Sequence, residues 1–120
     1  MQMREVAEIL HAVPMTAYDE TAMSHELYSV FATDLMSDAL AMIQNDEENT
    51  LLLTGLCNTQ TLRTAEMLDV RCIVFVRGKY LLDDAINMAN DMNLICLATD
   101  LTMYEACGRL YMKGLSGIYG

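Results

Sequence analysis

At 120 residues the chain has the length for one domain with a continuous core, and it is too short for a nucleotide-binding domain joined to a separate catalytic one. Seventeen acidic against seven basic residues give a formal charge of −10, which repels nucleic-acid phosphates and anionic membrane surfaces. A hydrophobic content of 53% with a single proline excludes a disordered chain, while no apolar run reaches the length of a bilayer crossing.

The amino terminus, Met1-Gln2-Met3-Arg4-Glu5, passes directly into a helical pattern without the apolar core of a signal peptide, so a cytoplasmic location is expected. Residues 3–11 place Met3, Val6, Ala7 and Leu10 on one face of an amphipathic helix whose extension Pro14 limits. Turn formers and charges from Val13 to Glu26 predict extended chain or loop. The run Leu27 to Ala32 predicts a strand that ends at Thr33-Asp34, either of which can cap the next helix. That helix, about Leu35 to Gln44, carries Leu35, Met36, Ala39, Leu40, Met42 and Ile43. Apolar groups thus cover more of its circumference than one packed stripe needs, which predicts cover by another subunit or a loop, with a symmetric dimer favoured.

Asn45 to Asn49 reads as a solvated acidic turn. Three short apolar runs follow, Leu51 to Gly55, Ile73 to Gly78 and Leu94 to Asp100, separated by segments of helical spacing. This is a β-α-β-α-β series, and parallel strands require such crossovers. In the first crossover, Asn58 to Val70, Leu62, Ala65 and Leu68 face inward and Asn58 or Thr59 caps. In the second, Leu81 to Asn93, the predicted inward stripe is Leu82, Ala85, Ile86 and Ala89, with Asp83, Asp84, Asn87, Asn90 and Asp91 toward water. Asp83 and Asp84 also suit the positive end of a helix dipole. Thr99 to Thr102 reads as a cap for a final helix on which Tyr104, Cys107, Gly108 and Tyr111 share a face, and residues 114–120, with three glycines, predict a loose tail. The expected fold is a single α/β domain with a mostly parallel sheet and flanking helices: lead-in 1–26, core 27–113, tail 114–120.

Cys57, Cys72, Cys96 and Cys107 lie far apart with no CxxC pair, which favours reduced, mostly buried thiols over a disulfide or a metal cluster. The eleven methionines suit a Met-rich core or oligomer surface. No phosphate-binding loop, dinucleotide-binding glycine pattern or nucleophile elbow occurs, and His11 and His25 lie in the amino-terminal segment as surface or capping residues. No enzyme activity, metal or cofactor is expected. The one reactive group to weigh is Cys57, where a helix start can lower a thiol pKa.

Ligands of parallel sheets bind beyond the carboxyl ends of the strands, where helix N-termini and free amides favour anions. The candidate positions are Thr54, Gly55, Asn58 and Thr59 after one strand, Arg77 and Gly78 after the next, and Thr99 and Asp100 after the third, with the strand ending at Ala32-Thr33-Asp34 as a possible fourth contributor. Arg77 and Lys79 are two of the seven basic residues and lie together at one strand end, which allows a small anionic ligand. The residues alone equally allow Gly55 and Gly78 to serve tight turns and the basic pair to be solvated.

Ala32 to Asp38, Thr54-Gly55 closing a strand, Ile73 to Gly78, and Ala106-Cys107-Gly108-Arg109-Leu110-Tyr111 together resemble the DRTGG domain family over almost the whole chain, most nearly its small stand-alone members. The resemblance implies an α/β fold like the amino-terminal domain of HPr kinase/phosphorylase, whose phosphate-binding loop belongs to a separate domain with no counterpart here. Because such domains accompany CBS domains or precede phosphate acetyltransferase, it also implies a regulatory or ligand-sensing role. The chain departs from the name-giving motif: Leu56-Cys57 stand where the family has Asp-Arg after the glycine, and of the paired glycines only Gly78 is clear, preceded by Arg77. The expected function is therefore a noncatalytic, homo-oligomeric regulatory domain binding a small anionic ligand. The alternatives are a scaffold subunit without ligand and, third, a small thiol enzyme using Cys57.

Overall fold

The computed structural model describes residues 1–119. Strands β1 (Val13–Pro14), β2 (Ser29–Ala32), β3 (Thr50–Thr54), β4 (Cys72–Phe75), β5 (Ile95–Ala98) and β6 (Ser116–Gly117) form one sheet in the order β1-β5-β4-β3-β2-β6. All neighbours pair in parallel except β1, which lies antiparallel on the β5 edge. Helices α1 (Met3–Leu10), α2 (Glu20–Met23), α3 (Met36–Met42), α4 (Thr59–Leu68), α5 (Asp83–Asp91) and α6 (Met103–Met112) flank it. None is long and apolar enough to cross a membrane.

The connections explain the layers. From β2 to β5 each strand is laid beside its predecessor, so the crossover helices α3, α4 and α5 share one face, because right-handed crossovers stepping in one direction keep to one side. The chain then returns across the sheet to place β6 beyond β2, and a right-handed step in the opposite direction puts α6 on the other face, where it packs with α1. The central strands are fully buried and alternate between the faces: Leu51, Leu53, Val74 and Leu97 meet α1 and α6, while Leu52, Ile73, Phe75 and Cys96 meet α3 to α5.

Several boundaries and contacts differ from the sequence expectation. The 13–26 stretch contains a short edge strand and the four-residue helix α2, capped by Asp19, whose Oδ1 accepts from Ala22 N at 3.0 Å. The first helix ends at His11 in the left-handed region, three residues before Pro14. Neither Thr33 nor Asp34 caps α3: the cap position is Leu35, and Asp34 turns instead to the strand ends. The expected stripe on α5 is wrong at its first member. Leu82 is the extended residue before the helix and is 81% exposed, while the adjacent Leu81 takes the core position. Asp83 and Asp84 lie in the first turn, where their charge suits the dipole, without a side-chain cap at Leu82. The loose tail is also corrected. Leu115 is buried against α1 and α6 and Ser116–Gly117 pair with Ser29–Val30, so 114–119 closes the sheet edge; Gly120 lies outside the described residues.

Candidate functional site

Parallel register brings four strand ends together. Ala32, Leu53, Val74 and Leu97 form one aligned row, and Asp34, Gly55, Val76 and Thr99 each lie two residues beyond it. The ladder continues into these turns, with Thr33 N donating to Leu53 O at 3.0 Å, Val76 N to Thr54 O at 2.9 Å and Thr99 N to Phe75 O at 2.9 Å. A carboxylate leaving β2 is thereby set beside the first free amide after β3.

Asp34 Oδ1 accepts from Gly55 N at 2.6 Å and from Thr54 Oγ1 at 3.4 Å, and its Oδ2 lies 3.2 Å from Arg77 Nη1. The Gly55 amide, chiefly, and the Arg77 guanidinium hold the Asp34 carboxyl below its ordinary value against the opposing effect of partial burial. The Arg77 guanidinium lies directly over Gly55, in the space a Cβ there would take, so a larger residue would have to push this flexible side chain aside. Arg77 and Gly78 both have positive φ, 63° and 67°, the pattern of a tight turn with two left-handed residues. Their amides are committed to the next loop, Arg77 N to Leu101 O at 2.8 Å and Gly78 N to Thr99 O at 3.0 Å, which fixes the backbone of the turn from which the Arg77 side chain extends. The Asp34 and Arg77 side chains remain 50% and 41% exposed, so the ion pair faces solvent while Thr54 and Gly55 are buried behind it.

The other candidates divide. Asn58 caps α4, its Oδ1 accepting from Thr61 N at 3.1 Å, and Thr59 is the half-buried first residue of that helix. Thr99 is buried and its hydroxyl donates inward to Leu10 O at 2.7 Å, tying β5 to the end of α1 rather than joining the Asp34 cluster. Asp100 is exposed and its Oδ1 stands 3.2 Å from where a Gly78 Cβ would be, a second carboxylate near the turn. The structure thus gathers Thr54, Gly55 and Arg77 on one point, with Gly78 shaping the turn and Asn58, Thr59, Thr99 and Asp100 around it. It makes Asp34, at the strand end expected only as a possible fourth contributor and as a helix cap, the centre of the cluster, because β2 lies parallel to β3.

Cys57 lies beside this cluster, half-buried, and burial pushes its thiol up to about 11 despite the nearby Lys79. That is opposite to the shift a thiol nucleophile needs. Two further surface features lie elsewhere. A polar depression of about 270 Å³, lined in part by Asp19, His25, Arg71 and Asn93, opens at the amino ends of β4 and β5, where the Arg71 guanidinium binds Asn93 O at 3.0 Å. An apolar groove of about 430 Å³ runs between α6 and the β2–β6 edge, lined by Val30, Ala32, Tyr104, Cys107, Tyr111 and Leu115.

No family model matches the chain, and no curated protein matches it. Among solved structures it is similar to the CBS and DRTGG domains of the regulatory region of Clostridium perfringens pyrophosphatase, determined as a complex with the activator diadenosine tetraphosphate. The TM-score is 0.71 at 16% identity, over 98% of this chain and 49% of that one. The chain therefore spans about half the length of that protein. The likeness establishes the fold, a single α/β domain of the kind found in a CBS–DRTGG regulatory region.

Proposed function

We propose that the chain is a noncatalytic, cytoplasmic regulatory domain of DRTGG type, akin also to the amino-terminal domain of HPr kinase, that senses a small anionic ligand at the carboxyl ends of β2, β3 and β4. The observation that carries this reading is the convergence of an amide, a hydroxyl and a guanidinium, from Gly55, Thr54 and Arg77, on a single carboxylate. Charge-assisted donors gathered on one point at a parallel-sheet end are what an oxyanion requires. The similar regulatory region, solved with a nucleotide activator, makes a phosphorylated ligand the first class to try. A thermal-shift screen of nucleotides and phosphorylated metabolites tests it: a ligand at a hundredfold its dissociation constant adds about 2.7 kcal/mol of stability. Loss of the shift in Arg77→Ala would assign it to this cluster, and no shift with any compound would refute ligand sensing.

The apolar groove favours a second reading, an interaction subunit acting as a homo-oligomer. Tyr104 and Tyr111 are 88% and 77% exposed on its rim, and Leu40 and Met42 on α3 are exposed together with Leu35 just before it. Aromatic groups of this kind anchor protein interfaces. Sedimentation decides it, since a dimer that Tyr111→Glu dissociates supports the reading and a monomer at all concentrations refutes it.

A further inference from the structure

The converging donors hold an anion that belongs to the chain itself, the Asp34 carboxylate. We propose that Asp34 is an internal stand-in for the ligand: a phosphate-bearing ligand enters the strand-end cluster by displacing this carboxylate from Gly55 and Arg77, and the freed β2–α3 connection passes the signal to α3. The inference rests on the ligand-sensing reading and adds its mechanism.

The ligand class follows from the competition. Asp34 is tethered, so its effective concentration at the site exceeds that of any free metabolite carrying one carboxylate, and such a metabolite offers the donors nothing more than Asp34 does. A phosphate group brings more charge and additional acceptor oxygens, enough to engage the Gly55 amide, the Thr54 hydroxyl and the Arg77 fork together. Asp100, whose Oδ1 stands beside the Gly78 turn, puts a second carboxylate near the site and limits how much negative charge it accepts.

The output follows from what Asp34 anchors. Helix α3 begins two residues after it, has seven residues and has no side-chain cap at its amino end. A helix so short depends on what holds it in place. Its inner residues Met36, Ala39 and Ile43 pack on the sheet and α4, and its lead-in is fixed by Asp34 and by two bonds of Thr33, to Leu53 O at 3.0 Å and from Leu35 N at 3.0 Å. Releasing Asp34 removes one of these anchors beneath a helix whose outer face shows Leu40 and Met42, with Leu35 exposed just before it.

The test is a titration of the full chain with inorganic pyrophosphate at neutral pH, read by NMR at the Gly55 amide and the Asp34 carboxyl carbon, for the wild type and for Asp34→Asn. Asp34→Asn keeps the shape and removes the competing charge, so it should bind at least tenfold tighter and show faster amide exchange across Met36–Met42 without ligand. The wild type alone suffices if that variant does not fold: its Asp34 carboxyl signal should move in step with the Gly55 amide. A wild-type response at Gly55 with the Asp34 signal unmoved, or equal affinity in the two proteins, overturns the displacement mechanism while leaving ligand sensing intact. No response in either protein at millimolar pyrophosphate overturns both.

Discussion

Arg77 lies directly over Gly55, its guanidinium filling the space that a side chain at Gly55 would occupy. The two residues come from different strand ends, and the closeness of one depends on the smallness of the other. In Gly55→Ala the Arg77 side chain must swing away, which breaks its pairing with Asp34. The expected loss is about 1 kcal/mol in chemical denaturation, the scale of a half-exposed ion pair plus mild overpacking. In an Arg77→Ala background the same substitution should cost almost nothing, so the double-mutant cycle reports the contact itself. Additive effects would mean that the guanidinium does not occupy this position.

The Asp34 carboxyl is held below its ordinary value, first by the Gly55 amide and then by Arg77. A carboxyl depressed in the folded state binds protons more weakly there than in the unfolded chain. Its contribution to stability is therefore complete above the unfolded value, near 3.8, and fades as pH falls through the lower folded value. Urea denaturation of the wild type and Asp34→Asn should show the wild type more stable at neutral pH and the difference vanishing in acid. A difference that persists once Asp34 is protonated would show that Asp34 acts through shape rather than charge.

Burial raises every cysteine thiol: Cys57 to about 11, Cys96 to about 12, and Cys72 and Cys107 upward. Since the thiolate is the reactive form, native protein at pH 8 should alkylate with iodoacetamide well below the rate of a free cysteine, at Cys57 and Cys107 first. Cys72 and Cys96, both buried, should react only on unfolding. Rapid, selective modification of Cys57 would revive the thiol-enzyme alternative.

Leu115 is 3% exposed and sits just before the last strand. Leu115→Ala should lower stability by about 2–5 kcal/mol, as for other buried leucines. A change within about 0.5 kcal/mol would be that of an unpacked tail.

Much of the fold is legible in the sequence because it rests on local pattern. Apolar runs such as Leu51 to Leu53 and Ile73 to Val76 have the length of doubly buried strands, and caps such as Asn58 and Thr102 use nearest neighbours. What was not legible depends on partners distant in sequence. Ser116–Gly117 has no strand character of its own and is a strand only because α6 delivers it to β2. Two adjacent leucines, Leu81 and Leu82, satisfy the same helical pattern one residue out of phase, and only the position of the first turn chooses between them. The site divides in the same way. Gly55 and Arg77 stood out by residue type, whereas the importance of Asp34 comes from strand pairing across 21 residues to Gly55 and 43 to Arg77. Thr99 shows the converse, a polar residue at a strand end whose hydroxyl turns inward to Leu10.

The most direct measurement of the central claim is a crystal structure of the chain with a bound phosphorylated ligand drawn from the thermal-shift screen. Displacement of Asp34 places phosphate oxygens within hydrogen-bonding distance of Gly55 N and the Arg77 guanidinium, with the Asp34 side chain turned out of the cluster. A ligand bound elsewhere, with Asp34 still on Gly55 and Arg77, would contradict it.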